Sequence, residues 1–121
     1  MEKQYAHYLT VTQFFELNEA CATINKTFDG FGCYLVGSAL TKPDWRDVDV
    51  RFIGENNDVL FQSPMKERLP FLQIVISHWL SERTKLPIDF QFQSQQEANE
   101  KYPSGGRNPV GHRHPRNALG I

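Results

Sequence analysis

The sequence predicts an α+β fold, a small mixed β-sheet with helices packed against it in the order αββαβ. Three observations carry this expectation. Two long segments repeat apolar residues at helical spacing, three short ones are either apolar throughout or alternate strictly, and turn-forming residues separate them. With 121 residues the chain has the length of one domain, and 40% hydrophobic content supplies a core, which excludes a wholly disordered chain.

The first helix is expected over residues 12–28, where Phe14, Leu17, Cys21, Ile24 and Phe28 recur at steps of three and four. Thr10 with Gln13 offers a capping box at its start, and Thr12 is the alternative cap. Asp29-Gly30 should end it through a left-handed glycine. Cys33-Tyr34-Leu35-Val36 reads as a strand buried on both faces, stopped by Gly37-Ser38. After a loop holding Lys42-Pro43-Asp44, residues 47–53 alternate, with Asp47, Asp49 and Arg51 on the open face. The second helix is expected over 67–83, with Leu72, Val75, Ile76, Trp79 and Leu80 inward and Pro70 near its first turn. Residues 88–93 alternate again and place Asp89, Gln91 and Gln93 together.

After Ser94 the composition changes to Gly, Pro and Arg without apolar periodicity. The expected organisation is a domain over 1–94 with 95–121 as its Gly/Pro/Arg-rich C-terminal extension, not needed for folding. From Gly105 onward the extension carries Arg107, Arg113 and Arg116 with His112 and His114, and no acid. Two readings stand for it: arginines folded over a cleft to grip phosphate, or a solvated terminus. The two histidines have no further metal ligands nearby in the sequence.

Thirteen Lys and Arg against fourteen Asp and Glu give a net charge of −1. A strongly basic nucleic-acid coat is therefore excluded, although a local basic patch is not. No apolar stretch approaches the roughly 20 residues that a bilayer requires, and no signal-peptide pattern opens the chain. Cys21 and Cys33 make neither a disulfide framework nor a metal pattern. A cytoplasmic protein without membrane contact is the expectation.

The chemistry should lie where Gly37-Ser38, Asp47, Asp49 and Asp89 meet. Carboxylates placed together repel one another, so such a cluster calls for cations, and Mg²⁺ is hard, oxygen-seeking and usually shared with phosphates. Gly37 lets backbone N–H groups approach a phosphate, and the Ser38 hydroxyl donates as well.

Leu35-Val36-Gly37-Ser38, Asp47-Val48-Asp49-Val50 and Ile88-Asp89-Phe90 together resemble the signature of the DNA polymerase β-type nucleotidyltransferase superfamily. The resemblance covers about residues 12–94 and is greatest to minimal, single-domain members, small phage and prophage versions included. It implies a polymerase β-like fold and Mg²⁺-dependent (or Mn²⁺-dependent) transfer of a nucleoside monophosphate from an NTP to a hydroxyl, with release of pyrophosphate. By position, Asp47 and Asp49 would ligate both metal ions, and Asp89 would ligate the catalytic one and orient the attacking oxygen. Gly37 and Ser38 would hold the β- and γ-phosphates. Minimal members often carry a basic residue soon after Gly-Ser, whereas Ala39-Leu40-Thr41 intervene here; Lys42, Arg46 or a tail arginine, with Arg107 foremost, would substitute. The acceptor would be a protein side chain, an RNA or tRNA end, or a small molecule. The resemblance also implies a partner protein, around a monomer or small homo-oligomer. The alternative is a non-catalytic binding module on the same scaffold, such as a phage accessory or anti-defence protein. Of the remaining residues, Trp79 and the two cysteines are expected in the core and His78 beside it, while Trp45 either covers a helix or stacks on a nucleobase.

Overall fold

The computed structural model describes residues 7–103 and 106–112 of the chain. It is an α+β protein built on one four-stranded mixed sheet. Helix α1 spans Val11–Thr27, strand β1 Gly32–Val36, the short helix α2 Ser38–Thr41 and strand β2 Val48–Gly54. Two 3₁₀ turns, Val59–Phe61 and Lys66–Arg68, lead into α3 at Leu69–Thr84. Strand β3 at Ile88–Ser94, helix α4 at Gln95–Lys101 and strand β4 at Arg107–Pro109 complete the fold. The sheet order is β3-β2-β1-β4, with β2 and β3 parallel and the other neighbours antiparallel.

Side-chain alternation gives the sheet two unlike faces. Cys33, Leu35, Val48, Val50, Phe52, Ile88, Phe90 and Phe92 lie on one, in a core shared with Leu17, Cys21 and Ile24 of α1 and Leu69 and Leu80 of α3. Phe28, Phe52 and Phe92 meet edge-on there, with centroids 5.1–5.8 Å apart, the arrangement that aromatic quadrupoles favour. Tyr34, Asp49, Arg51, Asp89, Gln91 and Gln93 occupy the other face.

Local signals explain the helix ends. Thr10 Oγ1 accepts from Gln13 N–H at 3.1 Å while Gln13 Oε1 accepts from Thr10 N–H at 2.8 Å, so the capping box wins over Thr12. The exit differs from expectation: α1 is capped by Phe28 in extended backbone, not by a left-handed glycine. Gly30 serves another purpose, since a Cβ there would stand 2.8 Å from the Phe52 ring.

Helix α3 also departs from expectation. Leu80 is buried and Leu72 and Ile76 pack on the core, but Val75 and Trp79 are exposed. The face turned to the sheet instead carries a polar row, Gln73, Ser77 and Ser81. β3 is an edge strand, and its outward N–H groups at Ile88, Phe90 and Phe92 donate to Ser81 Oγ, Ser77 Oγ and Gln73 Oε1 at 3.0, 2.9 and 2.9 Å. A row at i, i+4 and i+8 matches alternate residues of a strand closely enough to cover the edge.

The described part of the extension, residues 95–103 and 106–112, is folded rather than a solvated tail. Ser94 and Glu97 form a capping box that starts α4, and Ala98 is fully buried. β4 pairs with β1 in the register Val36↔Arg107 and Tyr34↔Pro109, and Val110 N–H continues the ladder to Cys33 O at 3.0 Å. Val110 is buried, Asn25 Nδ2 donates to its carbonyl at 3.1 Å, and Asn18 accepts from Gly111 N–H at 2.6 Å. Arg113, His114 and Arg116 lie outside the described residues. Truncation after Pro103 should therefore lower the melting temperature substantially in a thermal melt followed by circular dichroism. Val110→Ala alone should cost about 1–3 kcal/mol of unfolding free energy.

Candidate functional site

The site gathers at the end of β1. Gly37 follows Val36 with φ 76° and ψ −151°, a region where an L side chain is strained. The reason is next to it: a Cβ on Gly37 would collide with the Asp49 carboxylate. The antiparallel register Val36↔Asp49 brings the two together, and the parallel register Asp49↔Asp89 sets the second acid beside the first. The backbone turn and the two carboxylates thus share one end of the sheet's polar face.

Arg51 lies among them. Its residue is only 5% exposed, and Nη1 donates to the carbonyls of Asp89 at 2.8 Å and Val50 at 3.1 Å. Nη2 stands 3.4 Å from Asp89 Oδ2 and 3.9 Å from Asp49 Oδ1. One buried guanidinium nitrogen therefore faces both acids and supplies their counter-charge. Arg51 Nε is buried without a hydrogen-bond partner, as is Gln93 Oε1 further along the same face. Helix α4 roofs this region, so the face of β2 expected to be open is closed beyond Asp49.

Asp47 precedes β2 and is exposed. Its charge still reaches Asp49. Burial, foremost, pushes the Asp49 carboxyl above its ordinary range, Arg51 pulls it down, and Asp89 and Asp47 push it up again. Among the described residues no group of three or more His, Cys, Asp or Glu side chains converges to hold a metal ion. Asp49 and Asp89 share one face by register, while Asp47 stands before the strand, and the three do not form a three-carboxylate cage. The Asp49 and Asp89 pair still suits a hard divalent cation, since Mg²⁺ is usually held by one or two carboxylates and completes its shell with phosphate and water.

A cleft of about 540 Å³ opens beside the Gly37 turn, lined by Gly37, Leu40, Thr41, Lys101, Tyr102 and Arg107 among others. Arg107 Nη2 donates to Asn99 Oδ1 at 3.0 Å, its guanidinium lies 5.5 Å from the Tyr34 ring centroid, and Nη1 is buried without a hydrogen-bond partner. An orphaned cationic donor beside a glycine turn fits an anion. Gly37 and Arg107 are thus brought together, and Ser38 opens α2 next to them. Lys42 is exposed and does not line the cleft, whereas Lys101 does. Trp45 is half-buried against the core and its Nε1 donates to Tyr8 O at 3.1 Å, contacts that suit a covering residue. His112 Nε2 meets Glu19 Oε1 at 2.6 Å, a structural pairing, and His78 is exposed. Cys21 and Cys33 are buried and share no disulfide.

Sequence reasoning missed Arg51 and Lys101 as site residues. The alternation that placed Asp49 on this face placed Arg51 there too, one pleat on, so its signal was present. Lys101 had none, because α4 was not expected.

No family model, curated protein or solved structure matches the chain. Among the described residues no helix is long and apolar enough to cross a membrane.

Two outcomes follow for stability. Gly37→Ala should destabilise by about 1–3 kcal/mol in chemical denaturation, because a left-handed backbone and the Asp49 contact both oppose a side chain. Because the folded-state value of Asp49 is raised, the native state holds its proton to higher pH than the unfolded chain does. That contribution is present below the ordinary aspartate range and is lost as pH rises through the raised value. Metal-free melts of Asp49→Asn should accordingly gain on the wild type as pH rises across this window, and parallel curves would reject the assignment.

Proposed function

We propose that this chain is a minimal Mg²⁺-dependent nucleotidyltransferase with a polymerase β-like arrangement of its sheet. It would move a nucleoside monophosphate from an NTP to an acceptor hydroxyl on a protein, an RNA end or a small molecule. The observation that carries the reading is the contact of the Gly37 backbone with the Asp49 carboxylate, with Asp89 in register on the next strand. A glycine turn that faces phosphate and a carboxylate pair that faces a cation are thereby adjacent, as an NTP bound with its metal requires.

Asp49 and Asp89, with Asp47 at the rim, would hold magnesium, which when bound neutralises charge on the phosphoryl oxygens. The residues do the positioning. Gly37 N–H, the Ser38 hydroxyl, Arg107 and Lys101 receive the β- and γ-phosphates from the cleft. Asp89, whose side chain is half-exposed, would face the acceptor and orient its hydroxyl toward the α-phosphorus. The acceptor oxygen forms the new P–O bond, the bond between the α-phosphorus and the bridging oxygen breaks, and pyrophosphate leaves with that oxygen. The acceptor proton passes to Asp89 or to solvent. Arg51 balances the acid pair before the nucleotide arrives.

Arg51 also favours a second reading, a module that grips a nucleotide without chemistry. An acid pair partly compensated by a buried guanidinium carries less of the repulsion that would otherwise make it costly to keep. One experiment separates the two. The protein is incubated with labelled ATP, CTP, GTP and UTP plus Mg²⁺, and label transfer and pyrophosphate release are followed. Turnover that is lost in Asp49→Asn and in Asp89→Asn supports the enzyme. Mg²⁺ should also stabilise the wild type, by about 2.7 kcal/mol at a hundred times Kd, and so raise its melting temperature, and Asp49→Asn should abolish the shift. A nucleotide-dependent shift without pyrophosphate release selects the binding module, and no response to any nucleotide rejects both.

A further inference from the structure

The outer face of α3 is apolar where a lone surface helix would be polar. Phe71, Ile74, Val75 and Trp79 are 72, 68, 45 and 38% exposed, and they form one stripe at steps of three and four. No described segment of the chain covers them. Arg68, His78 and Glu82 are exposed on the same side, with Glu67 and Arg83 at its flanks. The arginine at the far end, Arg83, lies 5.9 Å from the Trp79 ring centroid.

Three pairs among these residues, two of them reaching into the 3₁₀ turn before α3, are placed symmetrically about Val75, while Ile74 and His78 have no exposed counterpart. Phe71 and Trp79 lie four positions to either side, Arg68 and Glu82 seven, and Glu67 and Arg83 eight. We infer that the occupant of this face is a second copy of the same chain, docked with its α3 antiparallel about an axis through Val75. In that arrangement Val75 meets the partner's Val75, and Phe71 meets the partner's Trp79. Glu67 then faces the partner's Arg83, and Arg68 faces the partner's Glu82. Every pair off the axis occurs twice and the Val75 self-contact once, as an isologous interface requires, and the contact closes at two copies. A parallel docking would set Glu67 on Glu67 and Arg83 on Arg83, so the charges select the antiparallel one.

An aromatic side chain carries roughly 150–250 Å² of surface, which makes the stripe comparable to the largest patches of monomers, about 300–600 Å². This is an interface of the small, concentration-dependent kind.

Sedimentation equilibrium of the full chain over a range of concentrations tests the inference, with circular dichroism melts as the check on folding. The wild type should pass from monomer to dimer as concentration rises. Val75→Glu sets two carboxylates on the axis and should leave a folded monomer. Arg83→Glu places like charges against the partner's Glu67 and should weaken association by about tenfold or more. Adding Glu67→Arg to the same chain restores opposite charges and should recover most of the loss. This rescue distinguishes a specific contact from damage to α3. A wild type still monomeric at about 1 mM, a dimer indifferent to Val75→Glu, or a double variant no better than Arg83→Glu would each overturn the inference. So would a chain that stays monomeric alone and uses the stripe only for a different protein.

Discussion

Three hydrogen bonds along the open edge of β3 fix more of this molecule than any other interaction. Unpaired N–H groups on an edge strand are costly when covered by apolar surface and invite pairing with other chains when left open. Gln73, Ser77 and Ser81 accept all three of those at Ile88, Phe90 and Phe92, so α3 lies along the edge with its polar row inward. That placement has two consequences. It holds β3 in parallel register with β2, which sets Asp89 beside Asp49. It also rotates the helix so that Phe71, Val75 and Trp79 face outward.

The second constraint is electrostatic. Two carboxylates on neighbouring strands, one mostly buried, would repel strongly in a medium less polarisable than water. Arg51 answers this from within the same strand. Its position two residues after Asp49 puts the guanidinium on the same face, and the carbonyls of Val50 and Asp89 hold it there. The orphaned Arg51 Nε, Gln93 Oε1 and Arg107 Nη1 belong to residues on the same face of the sheet. Buried polar atoms left unpaired are uncommon, and each calls for an explanation. Of these three residues Arg107 lines the cleft beside Gly37, whereas Arg51 and Gln93 do not.

Much of the fold was legible in the sequence. The helical stripe of α1, the apolar run of β1 and the alternation of β2 and β3 gave element type and order to within two residues, and alternation alone put Asp49 and Asp89 on one face. The failures have specific physical causes. α3 is apolar around most of its circumference, so periodicity could not reveal that a serine and glutamine row faces an edge strand. α4 was announced by Ser94-Gln95-Gln96-Glu97, a capping box, but no apolar stripe follows it, because only Ala98 is buried. β4 is three residues ending in proline, too short for any pattern. It exists because Asn18 and Asn25 of α1 hold the following Val110 and Gly111 in place. Long-range side-chain anchors of that kind leave no local trace in a sequence.

The two faces of the sheet divide the labour of the molecule. The glycine turn, the acid pair and the cleft lie on the polar face, under α4 and beside β4. α3 packs on the apolar face and presents its stripe away from it. Two copies joined through α3 would therefore leave both clefts open, with the sheets between them and the interface. Joining copies back to back would leave the candidate site uncovered, and it would bury the apolar surface that the edge-strand hydrogen bonds turn outward.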